Sequence, residues 1–269
     1  MLQLEARVSL LLIDKTLCAK TGACIDNCPY SLIVRGAEGF PEEGPGADEA
    51  CVRCGHCVAV CPTGALSNTL LDRKDFIEVA SLKREADPLE YVMRTRRSGR
   101  SFRPEAVPKA QLKTLFDVVR HAPTGKNTQN LWWIVTTGRE QTKPLAVLAR
   151  QWLRQMIDPN KPDDAWETDD DPLLRGAPHL ALCCGPTDSR WGVIDAAIAV
   201  THLDLLAASR GIEACWAGAF LRAIDAWPPL QEVLALPPGQ RVYGGLFFGY
   251  SRNEFRLVPP RKPSAVDWR

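Results

Sequence analysis

The 269-residue chain lacks any run of eighteen uninterrupted apolar residues, so no membrane span is expected from it. It also lacks an excess of either charge. Its 33 Lys and Arg stand against 32 Asp and Glu, and a net charge of +1 points to neither nucleic acid nor a membrane surface as partner. The opening stretch MLQLEARVSLLLID has Glu5 and Arg7 before a short apolar run and no small-residue cleavage site after it. It reads as a strand rather than a secretion signal, and a cytoplasmic location is expected. A Gly-rich dinucleotide fingerprint is missing too, so no dedicated NAD(P)H domain is visible. Histidine is scarce, and His121, His179 and His202 have no evident partners, which reads as structural use.

Cysteine is scarce only after residue 61. Of ten cysteines, seven fall between Cys18 and Cys61, leaving Cys183, Cys184 and Cys215 for the rest of the chain. A disulfide framework would be spread more evenly; tight runs without a secretion signal read as metal or cluster ligands. Cys183 and Cys184 sit in an apolar run and read as buried thiols.

The run CVRCGHCVAVCP has the spacing Cys51-x2-Cys54-x2-Cys57-x3-Cys61-Pro62 of a bacterial ferredoxin. Three thiolates on one loop wrap three corners of an iron–sulfur cube, and the cysteine before proline reaches the other cluster. Zinc is the main alternative, but it takes paired ligands from two separated knuckles rather than three in seven residues. The crossed wiring assigns Cys51, Cys54, Cys57 and Cys28 to a complete 4Fe–4S site. The earlier run, CAKTGACIDNCP, keeps Cys18, Gly22, Cys24, Cys28 and Pro29 in matching places but has Thr21 where the later run has Cys54. Its site therefore comprises Cys18, Cys24 and Cys61. Three outcomes follow: a 3Fe–4S cluster, a 4Fe–4S cluster whose last iron takes hydroxide, water or the Thr21 oxygen, or an empty site with structural thiols. An occupied three-cysteine site is favoured, with its iron count open.

Composition shifts near residue 70, from cysteines and turns to longer helical patterns. The charged segment Leu71–Pro88 bridges the two, with Asp87 as N-cap and Pro88 at the first position of a helix. A second helix opens at Pro108 with Leu112, Leu115, Phe116 and Val119 at helical spacing. Leu131–Thr137 reads as a strand, and Leu145, Leu148, Trp152 and Met156 mark one helix face. HLALCCG reads as a buried strand, Asp195–Ser209 as a helix stopped by Gly211, and Arg241–Tyr250 as the last main strand. The acidic stretch Asp158–Pro172 reads as a solvated loop, or alternatively as a lid near a site.

The segments RRSGRSF (Arg96–Phe102), APTGKNTQNLWWIV (Ala122–Val135), CWAGAF (Cys215–Phe220) and GYSRNEFRLVPPRKP (Gly249–Pro263) follow in that order. Together they resemble the nitroreductase family of FMN oxidoreductases, in its branch with an N-terminal ferredoxin-like domain. Arginines with a hydroxyl and free amides suit a phosphate dianion. The resemblance places Arg96, Arg97, Ser98 and Arg100 on the phosphate and ribityl chain of FMN, and Arg261, beside Lys262, also on the phosphate. It sets Pro123 and Thr124 along the flavin and Asn127 at the ring's polar edge, although Gly125 and Asn127 also suit a turn. It sets Gly218 and Ala219 beside the ring, where a backbone N–H faces N5 and small residues permit close approach. Trp132, Trp133 and Trp216 are candidate flavin neighbours, with core packing expected for at least two.

The fold expected is therefore α+β: a small ferredoxin-like iron–sulfur domain (1–72), a linker (73–87) and a nitroreductase-like three-layer α/β/α FMN domain (88–269) whose C-terminal tail wraps a partner. The activity implied is electron transfer between the clusters and FMN and on to a small conjugated acceptor, such as a nitroaromatic or quinone. Reduced ferredoxin or NAD(P)H is the implied donor, and a homodimer the implied assembly. No catalytic side chain stands out, since the cofactor carries the chemistry. Two alternatives remain. One is an electron-transfer or redox-sensing protein acting on a protein partner; the other is an FMN-dependent dehydrogenase or dehalogenase of a specific metabolite.

Overall fold

The computed structural model describes residues 9–85, 87–157 and 171–269. The acidic stretch singled out above lies almost wholly outside the described residues, as does most of the expected N-terminal strand. Two compact units divide the chain: residues up to Thr95 together with Asn253–Arg269 form the first, and Arg96–Arg252 the second.

In the first unit, the strand Leu11–Ile13 pairs antiparallel with Leu66–Asn68, and Ile33–Arg35 pairs with Pro41–Glu43. Each cysteine run ends in a one-turn helix, Ala23–Asp26 and His56–Ala59, and each helix is preceded by a left-handed glycine, Gly22 at φ 79° and Gly55 at φ 70°. Only glycine takes that conformation without a Cβ penalty. The resemblance of the two runs extends to the backbone around them. Lys20 and Arg53 have φ of 53° and 54°, and Ser31 and Gly64 are left-handed at 52° and 70°. Leu10, Leu11, Ile33, Ala47, Val58 and Leu66 bury one core. A second small core joins Ala23, Ala59 and Val60 to Phe255 and Leu257. The C-terminal segment is thus part of this unit, its strand Leu257–Val258 pairing antiparallel with Ile77–Glu78. The expected cap is present: the Asp87 carboxylate accepts the N–H groups of Leu89 and Glu90 at 3.0 and 2.9 Å, opening the helix Pro88–Thr95.

In the second unit, four antiparallel strands lie in the spatial order Trp132–Val135, His179–Pro186, Gln240–Gly249, Glu213–Trp216. The strand His179–Pro186 is apolar on both faces because helices cover both. Leu180, Leu182 and Cys184 face a core with Leu145, Ala149 and Trp152 of helix Arg139–Ile157 and with Phe220 and Leu230. Ala181 and Cys183 face another with Leu112, Leu115 and Val119 of helix Lys109–Val119 and Val200 and Leu203 of helix Gly192–Ser209. Adjacent residues alternate between faces with the period of two that a strand imposes, which makes three layers, helix–sheet–helix. Burial pushes the Cys183 and Cys184 thiols up to about 12 and about 11, as inert core thiols. Gly211, at φ 71°, ends the long helix, with the Ile212 N–H returning to Ala207 O at 3.0 Å.

Met156 departs from expectation: it is 59% exposed, because the last turn of its helix runs past the core that Leu145 and Trp152 fill. His179 also gains what the sequence did not show. It is fully buried, its Nε2 accepts the Val107 N–H at 2.8 Å, and its Nδ1 lies 2.9 Å from the Thr136 carbonyl. Those partners define a neutral ring with its proton on Nδ1, and burial lowers its pKa.

Candidate functional site

None of the seven clustered cysteines forms a disulfide, and they divide between two cavities. Cys28, Cys51, Cys54 and Cys57 line one, together with Leu11, Ile33 and Asn68. Cys18, Cys24 and Cys61 line the other, together with Thr21, Gly22 and Pro62. Cys28 thus stands with the second run and Cys61 with the first. The cavities measure about 410 and 360 Å³, counting their open sides. Among the described residues no three His, Cys, Asp or Glu converge as ligands of one ion. Four thiols at one cavity and three at the other suit iron–sulfur cubes, whose cysteine ligands stand around a volume.

The chemistry of the sulfurs agrees. Burial first, then the neighbouring Cys61, pushes the Cys24 thiol up to about 11; burial first, then Cys54 and Cys28, pushes Cys57 up to about 12. Thiolates so placed need a cation among them. Two receive N–H donors: Leu32 N–H lies 3.3 Å from Cys28 Sγ, and Asn68 Nδ2 lies 3.8 Å from Cys51 Sγ. At the odd corner, Thr21 Oγ1 is 3.4 Å from the Ala23 N–H and so faces its own backbone.

In the second unit, Ser98 and Gly99 lie along the outer edge of strand Glu213–Trp216. Ser98 forms a parallel bridge with Ala214, and the Gly99 N–H donates to Ala214 O at 3.0 Å. The approach is close enough to favour glycine, since a Cβ on Gly99 would lie 2.8 Å from Glu213 Cβ. This strap sets a group of charges around one sheet edge. Arg96 Nε is 3.0 Å from Asp204 Oδ2 without hydrogen-bond alignment, and Arg100 Nη1 donates to Ser98 O at 3.2 Å. Arg97 is buried, with its Nη1 donating to Arg96 O at 2.7 Å. Arg96 Nε, Asp204 Oδ1 and Glu213 Oε2 are buried without a hydrogen-bond partner among the described residues. Burial pushes the Glu213 carboxyl up to about 7, against a Ser251 hydroxyl that pulls it down. Burial raises Cys215 as well, opposed by Arg100, by a Ser98 hydrogen bond and by Arg175. Arg96, whose buried Nε lacks a hydrogen bond among the described residues, and Arg100 are the donors at this strap that suit a phosphate dianion. With Ser98 they fit the phosphate end of FMN, while Asp204 and Glu213 are acceptors and not ligands for it.

Asp204, Glu213 and Arg175 were missed from sequence, and no local signal marks them: they lie 79 to 117 residues beyond Arg96. Asn127, in an exposed turn with Pro123 and Thr124, accepts from Gln129 Nε2 at 2.9 Å. Gly218 and Ala219 open the helix Gly218–Ala226, ahead of its first bond, Leu221 N–H to Ala217 O, so their own N–H groups point out of the helix start. Trp132 and Trp133 pack into the two cores, while Trp216 is 46% exposed. Arg261 is exposed in the segment that belongs to the first unit.

The nitroreductase family model matches residues 93–250, and that of the 4Fe-4S dicluster domain matches residues 17–65. Solved structures share the fold. A nitroreductase with bound FMN from Desulfitobacterium hafniense is 21% identical over 68% of this chain and 98% of its own, with a TM-score of 0.57. A nitroreductase with bound FMN from Bacteroides fragilis is 20% identical over 62% and 89%, with a TM-score of 0.54. The FMN- and NADPH-dependent nitroreductase NfnB of Sphigopyxis sp. is 19% identical over 67% and 98%, with a TM-score of 0.54. No curated protein sequence matches the chain. With more than half its length matched, the chain belongs to the nitroreductase family of oxidoreductases and carries a 4Fe-4S dicluster domain ahead of the nitroreductase region.

Proposed function

We propose that the chain is an FMN-dependent oxidoreductase that moves electrons between iron–sulfur clusters and FMN and on to a small conjugated acceptor, such as a nitroaromatic or quinone. The observation that carries this reading is the strap at Ser98 and Gly99, which gathers Arg96, Arg97 and Arg100 with the Ser98 hydroxyl at one sheet edge, the buried Arg96 Nε lacking a hydrogen bond among the described residues. Bound there, FMN supplies hydride and single-electron transfer. The chain's own part is to hold it: Arg96, Ser98 and Arg100 at the phosphate, Pro123, Thr124 and Asn127 along the ring, Gly218 and Ala219 near N5. Arg97 and Arg261 are the less supported phosphate contacts, the first being buried against its neighbour's carbonyl and the second lying in the first unit's segment.

Cys28, Cys51, Cys54 and Cys57 hold a 4Fe–4S cluster in this reading, and Cys18, Cys24 and Cys61 hold a second cluster with Thr21 at the vacant corner. Thr21 facing its own backbone supports a 3Fe–4S or an iron-labile 4Fe–4S form. Reduced ferredoxin or NAD(P)H is the donor. Two copies associate through the helix Gly192–Ser209, where Val193 and Ile194 are 65% and 53% exposed although the opposite side is core. Seven reduced thiols suit the cytoplasm.

The test is the absorption spectrum of anaerobically purified protein with flavin and iron counts. One FMN and about seven or eight iron ions per chain are expected. Absence of flavin bands overturns the reading. Turnover only with a protein acceptor, and never with a small one, replaces the enzyme by an electron relay.

A further inference from the structure

The turn that carries Thr124 and Asn127 is gripped by the start of the long helix. Asp195, in the first turn of Gly192–Ser209, is 2% exposed, and its Oδ1 accepts the Gly125 N–H at 2.8 Å. Its Oδ2 is buried with no hydrogen-bond partner among the described residues. Trp191, just before the helix, covers Gly125 from another side, so that a Cβ there would lie 2.6 Å from the indole. A hydrogen bond and an aromatic wall therefore meet at one glycine.

The turn needs such a grip. Lys126, Asn127 and Gln129 all lie in the left-handed region, at φ of 55°, 56° and 47°. For Lys126 and Gln129 this costs about 1–2 kcal/mol each and persists only where the surroundings impose it, whereas asparagine adopts it more readily. Inside the turn, Asn127 N–H bonds Thr124 O at 2.9 Å and Gln129 N–H bonds Thr124 Oγ1 at 3.0 Å. Those bonds shape the turn but do not orient it on the sheet. Orientation comes from Asp195 and Trp191, about seventy residues away in sequence. A strained, exposed turn fixed by a half-satisfied buried carboxylate is a preorganised binding edge rather than a passive connection.

We propose that Asp195 is a positioning residue for the flavin ring: through the Gly125 N–H it sets Thr124 and Asn127 in the geometry that receives the isoalloxazine edge. The inference rests on the FMN reading above and adds a residue that the motif itself does not contain. It concerns the ring and not the phosphate, which gives it a distinct signature.

Dissociation constants for FMN and for riboflavin, measured by fluorescence quenching on the flavin-depleted full chain, test it. Asp195→Ala should weaken both flavins by the same factor, about tenfold or more, the scale of a lost hydrogen bond to a charged group. It should also shift the visible spectrum of the flavin that remains bound. Asp195→Asn keeps an acceptor for Gly125 and should bind both flavins within about threefold of the parent. Arg100→Ala should weaken FMN alone. If Asp195→Ala does not fold, Gly125→Ala, which meets the Trp191 ring, should show the same equal loss in a folded chain. The proposal is overturned if Asp195→Ala binds both flavins normally, if it weakens FMN alone, or if Asp195→Asn loses as much as Asp195→Ala. A parent chain that binds neither flavin overturns the FMN reading itself, and this inference with it.

Discussion

Thr21 and Cys54 occupy equivalent backbone positions in the two cysteine runs. Lys20 and Arg53 precede them at φ of 53° and 54°, and Gly22 and Gly55 follow at 79° and 70°. The loop that presents a sulfur at Cys54 is therefore intact around Thr21, and only the ligand atom differs. Thr21→Cys should supply a fourth thiolate without rebuilding the loop. The expected result is a rise from about seven to about eight iron ions per chain and loss of the 3Fe–4S resonance in electron paramagnetic spectra. An unchanged count of about eight would mean that the parent already holds the fourth iron.

The two left-handed glycines should differ in their tolerance of alanine. Both pay the left-handed penalty of about 1–2 kcal/mol. At Gly55 the new Cβ would also lie 2.9 Å from Pro259 Cβ and 3.2 Å from the Phe76 ring, whereas at Gly22 it meets only the mobile end of Arg35. Gly55→Ala should therefore lower the urea midpoint more than Gly22→Ala and release iron to a chelator faster.

Glu213 links stability to pH. Its folded pKa of about 7 lies above the ordinary carboxylate value, so the folded chain binds the extra proton between the two. Its contribution is complete below about pH 4.5 and is lost as pH rises through about 7. Melting temperatures of Glu213→Gln, which keeps the shape without the charge, should decline less than the parent's from pH 5 to pH 8.

His179 acts in the opposite sense. Burial lowers its folded pKa, and protonation would put a proton on the Nε2 that accepts from Val107. Its contribution is complete above about pH 6.5 and is lost as pH falls through the lower folded value. In a His179→Gln variant the stability loss on acidification below pH 6.5 should shrink, while stability at pH 7.5 should fall by about 1–3 kcal/mol for the unmet partners. Denaturant titrations at both pH values measure each effect.

What the sequence revealed was local. Ligand spacing within each cysteine run, the Asp87–Pro88 helix start and the alternation of Leu180 to Cys184 are short-range patterns, and short-range geometry realises them. Contacts across long separations were not legible: Ser98 onto Ala214, Gly125 onto Asp195, His179 onto Val107. In each, one partner is a backbone N–H or C=O, which every residue has, so residue type carries no signal. The tryptophans show the same limit, since Trp132 and Trp133 fill the two cores and Trp216 is partly exposed, though all three neighbour apolar segments.

The pairing of Leu257–Val258 with Ile77–Glu78 sets an order of events during synthesis. Phe255 and Leu257, which cover Ala23, Ala59 and Val60 beside both cysteine runs, leave the ribosome after every residue of the second unit. The cysteine-bearing unit is translated first and completed last. Cluster insertion into a finished site must wait for the chain to return.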